Sequence, residues 1–268
     1  MYENATGALL LCRAAPSAVR PAARLLRERL LLAPAGEGWS VLVPEDKPWL
    51  HGDEPVDQVA AGWATALAVA SSWSAVALWW DGERAGFVLG TGLRRPVGYL
   101  WLADGTPAGE YEVMRCVGVR LELDPVLDVQ TLTELTLRDP AADAAARLLG
   151  LTAVLSRIGL TLPTGLAPGE PADRLREVVR VQPAAEQLDP SALRNPVQAE
   201  RDVFEEGPLG QWSRGRRARL LGGAELMAGI PLAAWGLRRR SGGWTAAAAL
   251  LMAHGALGLG YDRMWVRS

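Results

Sequence analysis

Five side chains able to hold a divalent cation or trade protons fall close together in this chain: Glu45, Asp46, His51, Asp53 and Glu54. Carboxylate oxygens are hard ligands for such ions, and imidazole titrates near neutral pH. Enforced geometry would need spacings such as HxH, HxxxH or DxD, and none is present. The expected arrangement is a solvated loop, with Asp53 or Glu54 at the start of the next helix, where the helix dipole favours a carboxylate. Gly86, Gly90, Gly92 and Gly98 make a glycine-rich run, GFVLGTGLRRPVG. A phosphate loop places its glycines between a strand and a helix N-terminus. Here both flanks read as strands, so a hairpin is expected, with Arg94 and Arg95 at its tip.

No GxSxG, Walker or dinucleotide-binding glycine pattern occurs, and no zinc spacing. The second histidine, His254, lies inside an apolar stretch, where a packed residue is the expected role. The sequence therefore assigns no catalytic, cofactor-binding or metal-binding residue and implies no cofactor. The two cysteines, Cys12 and Cys116, form no CxxC pair, which fits a reducing compartment better than a disulfide framework. The N-terminus has no basic segment ahead of its short apolar run. It reads as the start of a folded domain facing the cytoplasm.

The elements that must position these groups follow from periodicity. GALLLCR (7–13) and WSVLV (39–43) read as strands on either side of an amphipathic helix ending near Ala35-Gly36. Residues 55–72 read as a helix apolar nearly all round, expected to lie buried between layers. AVALWW and RAGFVL flank Asp81-Gly82-Glu83, a strong hairpin signal, and PVGYLWL follows. The expected product is an α+β domain: a mixed five-stranded sheet, β-α-β-α-β-β-β, with covering helices. Residues 109–123 read as helix or strand, and 129–138 and 141–158 as helices. Strand alternation sends Trp79 and Trp80 to opposite faces. With Arg94 and Arg95 they form a candidate interaction surface.

Three segments are expected: the α+β domain at 1–162, a Pro-rich connector at 163–213 and a C-terminal helical hairpin at 214–268. The last holds two apolar stretches, 220–237 and 244–260, of 18 and 17 residues. Crossing a bilayer takes about 20 residues, with shorter spans tolerated. Trp212, Trp235 and Trp244 lie near their ends, where interfacial tryptophans belong. Arg214, Arg216, Arg217 and Arg219 precede the first stretch, and Arg238, Arg239 and Arg240 separate the two. With Arg263 and Arg267, six arginines lie on the tail side against three in the loop, a bias for cytoplasmic ends. Against this, Glu225 sits inside the first stretch, and much of the apolar content is alanine and glycine.

Charge is uneven as well. Residues 205–268 hold nine arginines against four acids, a net +5, which leaves −7 for the rest of a chain totalling −2. A basic segment on an acidic body suits an anionic lipid surface. A single lysine, Lys47, among many arginines marks a general compositional bias that weakens arguments from arginine alone.

The expected function is that of a non-enzymatic, membrane-tethered adaptor or regulator acting through protein contacts at the cytoplasmic side of the cell membrane. Its expected partners are the membrane and another protein; no nucleic acid is expected, and self-association stays open. The alternative is a cytoplasmic, soluble enzyme or ligand-binding protein whose C-terminal helices pack on the body.

Overall fold

The computed structural model describes residues 6–51, 54–71 and 73–189. The chain divides into two units, 1–203 and 204–268, and the described residues all belong to the first. In chain order they form β1 (Gly7–Cys12), α1 (Pro16–Arg24), β2 (Leu30–Pro34), β3 (Ser40–Pro44), α2 (Pro48–His51), α3 (Val56–Ala70) and β4 (Ser74–Trp80). Then come β5 (Arg84–Thr91), β6 (Arg94–Leu102), α4 (Glu112–Leu121), α5 (Leu127–Glu134), α6 (Ala144–Ser156), α7 (Ala172–Arg180) and β7 (Glu186–Leu188).

The strands make one sheet in the order β6-β5-β4-β1-β3-β2-β7, and every pairing is antiparallel. The α+β class therefore holds, but the sheet has seven strands rather than five and is not mixed. The first extra strand is β2. Leu30 fits the helical spacing of Val19, Ala22, Ala23 and Leu26, which extends the apparent helix. The structure ends α1 at Arg24, and Arg27 turns with a positive φ of 58°. Leu30–Pro34 then hairpins with β3, which inserts between β1 and β2 and makes both contacts antiparallel.

The second extra strand, β7, pairs with β2 at the far edge. It lies in the stretch expected to be a connector. Residues 163–189 instead carry α7, whose Leu175 and Val179 are fully buried, and β7, whose Leu188 joins the core. The remainder of that connector, 190–213, and the hairpin at 214–268 lie outside the described residues.

Both faces of the sheet are covered. Leu9, Leu11, Val41, Leu78, Phe87 and Trp101 face α4, α5, α6 and α7. Ala8, Leu10, Cys12, Leu42, Ala77 and Trp79 face α1 and α3. Double coverage explains the unbroken apolar run of β1, whose six residues are all buried. It also corrects the placement of α3, an outer-layer helix burying one face through Val56, Ala60, Trp63, Ala64, Leu67 and Ala68. Val69 on its outer side is exposed. Residues 112–121 are helical, which settles the ambiguous 109–123 region for α4. No helix among the described residues is long and apolar enough to cross a membrane.

Candidate functional site

β3 ends at Pro44, and the chain next delivers Glu45 and Asp46 at the sheet edge shared with β2 and β7. Glu45 points inward, with its side chain only 5% exposed. Arg180 Nη2 donates to Glu45 Oε1 at 2.7 Å, and Gln187 Nε2 donates to Oε2 at 2.7 Å. The Glu45 carbonyl accepts from Arg176 Nη1, and its N–H donates to the Arg29 carbonyl at 2.9 Å. Arg176 and Arg180 lie four apart on α7, so one helix face presents both to the strand end.

Around this centre the other charges also pair. Arg29 grips Asp46 in bidentate fashion, at 2.9 and 2.6 Å. The Asp46 hydrogen bond pushes the Arg29 guanidinium further above its already high range. Burial, followed by repulsion from Asp46, pushes the Glu28 carboxyl up. Lys47 Nζ meets Asp173 Oδ2 at 2.9 Å, and Asp173 also pairs with Arg176. Glu186 on β7 receives Arg20 Nη2 at 2.7 Å.

Of the five residues singled out by their chemistry, the three with described side chains, Glu45, Asp46 and Glu54, are not assembled into one centre. Glu45 is spent on α7 and β7, Asp46 on Arg29, and Glu54 is exposed. Asp53 lies outside the described residues, as does the side chain of His51. The helix that follows is capped by Pro55 with no side-chain hydrogen bond, so Glu54 does not cap it. Among the described residues no group of three His, Cys, Asp or Glu side chains is placed to hold a metal ion. The cluster works as a clamp that fastens β7 to the sheet edge.

The clamp gives a measurable expectation. Glu45→Ala leaves Arg180 without its partner, but that side chain is 57% exposed and can rehydrate. The cost should therefore be about 1–2 kcal/mol, below the roughly 3–5 kcal/mol for breaking a fully buried pair. Denaturant unfolding reads the cost. Faster hydrogen exchange in Leu30–Leu32 and Gln187 would place it at the β2–β7 seam; unchanged exchange there would contradict the clamp.

Trp79 and Trp80 do not form a contact surface. Both are buried, because helices cover both faces of the sheet. Trp80 donates its indole N–H to the Glu170 carbonyl at 3.1 Å. Trp79 lies beneath the Arg84 guanidinium, 5.5 Å from the ring centroid. Trp39 and Trp101 likewise donate to backbone carbonyls, of Ile158 and Leu135. Trp39, Trp80 and Trp101 thereby pin loops and helices to the sheet.

Arg94 and Arg95, by contrast, are exposed where β5 turns into β6. Leu93 in that turn is 91% exposed. Sequence reasoning did not include Arg120, which reaches the turn from α4. Its Nη1 donates to the Arg95 carbonyl at 2.8 Å and lies 3.4 Å from Thr91 Oγ1. No local signal could have joined residues this far apart. Two further polar groups were also not foreseen. Asp128 is buried, accepting from Arg157 Nη1 at 2.7 Å and from the Asp124 N–H at 3.0 Å. Asp124 in turn caps the N–H groups of Leu127 and Val126, which hold its carboxyl below the usual range. The other candidate contact residues, Trp212, Arg214, Arg216, Arg217, Arg219, Trp235 and Trp244, lie outside the described residues. No protein-family model, curated protein or solved structure matches this chain.

Proposed function

We propose that the protein is a non-enzymatic adaptor or regulator, held at the cytoplasmic side of the cell membrane by its C-terminal segment and acting through protein contacts. One observation carries this reading: two apolar stretches, 220–237 and 244–260, edged by tryptophans and flanked by arginines in a six-to-three ratio. The body adds support of a weaker kind. The acidic groups that looked most like chemistry, Glu45 and Asp46, are engaged in holding its own elements together.

Fractionation of cells tests the reading. The full chain should pellet with membranes, resist high salt and carbonate, and dissolve in detergent. A truncation ending after Pro208 should move to the supernatant. Full-length protein in the supernatant without salt or detergent would overturn the tether and favour a soluble enzyme or ligand-binding protein. Release by carbonate would replace a spanning hairpin with helices lying in the membrane surface.

A further inference from the structure

We infer that the end of the sheet carrying the β5–β6 turn docks on an anionic phospholipid surface. The inference rests on the tether reading, which supplies a membrane as the partner. Thr91 pairs with Arg94, so Gly92 and Leu93 form the tip of a tight turn. Leu93 projects almost wholly into solvent, and Arg94 and Arg95 follow it, both exposed. Arg120 is fastened to the same turn through the Arg95 carbonyl. Val119 beside it is 72% exposed.

A leucine left 91% exposed beside adjacent arginines that face no carboxylate among the described residues sets this end apart. Elsewhere in the body Arg13, Arg20, Arg29, Arg84, Arg157 and Arg180 each face a carboxylate. Arg94, Arg95 and Arg120 face none among the described residues. An apolar tip rimmed by guanidiniums without carboxylate partners among the described residues, one of them held against the turn, matches the chemistry of a lipid interface. The leucine enters the headgroup boundary, and the arginines take phosphate oxygens.

Two features favour a plane of phosphates over a protein partner. Adjacent strand residues point to opposite faces, so Arg94 and Arg95 straddle the tip instead of converging on one discrete anion. Pro96 also lacks an N–H, which works against an acidic peptide adding itself as a further strand to the open edge of β6. Each arginine near an anionic leaflet tightens binding about fivefold, so neutralising Arg94 and Arg95 together should weaken it roughly thirtyfold.

Cys116 reports on this contact without engineering. It is exposed on α4, and Cys116, Val119 and Arg120 are spaced to share one helix face. The other cysteine, Cys12, is buried, with its thiol pushed up to about 12, and stays silent. The full chain would be mixed with phosphatidylcholine vesicles, with and without phosphatidylglycerol. Both sedimentation and the rate of Cys116 labelling by a membrane-impermeant maleimide would be read. The expected result is labelling slowed severalfold only when phosphatidylglycerol is present, and restored by the double variant Arg94→Gln/Arg95→Gln.

Sedimentation with both vesicle types but equal labelling on both would overturn the inference while leaving the tether intact. Sedimentation only with phosphatidylglycerol, with slowed labelling, would uphold the inference and overturn an apolar tether. No association with either vesicle would overturn both. Equal slowing by soluble polyglutamate without vesicles would overturn the lipid assignment in favour of an acidic protein.

Discussion

Trp101→Ala is expected to destabilise the body by about 4 kcal/mol, within the roughly 3–5 kcal/mol range for removing a buried tryptophan. Trp101 is fully buried on β6. Its ring packs 5.1 Å from that of Tyr99 and 6.2 Å from that of Phe87, and its indole N–H donates to the Leu135 carbonyl at 2.8 Å. Three elements from two layers therefore meet at one side chain: β6, its neighbour β5, and the end of α5. Against a total stability of about 5–15 kcal/mol, that loss brings a small domain near its threshold. Trp101→Phe keeps much of the apolar contact but loses the donor and part of the indole, so it should cost less, about 1–2 kcal/mol. Urea unfolding of both variants, with an unchanged slope, separates the cavity from the hydrogen bond. A cost for the alanine variant no larger than for the phenylalanine variant would mean that the core is not built around this ring.

What the sequence made legible was local. The Asp81-Gly82 turn marks the β4–β5 hairpin, and GALLLC and SVLVP mark β1 and β3, because short apolar runs between turn residues carry their own signal. What it hid was decided at a distance. Leu30-Leu31-Leu32 is compatible with a helix or a doubly covered strand, and only the insertion of β3 beside it chooses the strand. An arginine at position 27 gives no hint of a left-handed turn, because glycine or asparagine is the usual marker. β7 is three residues long, and two of them, Glu186 and Gln187, are polar. They serve as a strand because Arg20 and Glu45 wait for them across the sheet edge.

The candidate sites divide along the same line. Residue type identified Glu45 as unusual, but its use as a clamp depends on Arg180 and Gln187, far along the chain. Trp79 and Trp80 looked available because alternation sends one to each face. A helical layer on each face buries both. Arg94 and Arg95 were placed correctly at a hairpin tip, since a turn between two strands has to lie at the surface.

Gly36→Ala should cost about 3 kcal/mol, combining a disfavoured backbone with a steric clash. Gly36 lies between β2 and β3 with a φ of 100°. A Cβ there would lie 2.1 Å from the Gly159 carbonyl oxygen and 2.7 Å from the Thr161 nitrogen. Both are backbone atoms, so no side chain can swing aside. These atoms form the latch that joins the turn after α6 to the β2–β3 hairpin. Glu37 N–H donates to the Gly159 carbonyl at 3.1 Å, Thr161 N–H to the Ala35 carbonyl at 2.7 Å, and the Trp39 indole to the Ile158 carbonyl at 2.9 Å. Making room for a methyl group means opening all three. Gly38 provides the control, since its φ is 67° but a Cβ there meets nothing within 4 Å. Gly38→Ala should therefore cost only about 1 kcal/mol, for the backbone term alone. Hydrogen exchange at Glu37 and Thr161 should accelerate in the first variant and not in the second. Equal stability of the two variants would show that the latch does not hold as described. A large gap with fast exchange at those two amides would fix α6 to the sheet at this point.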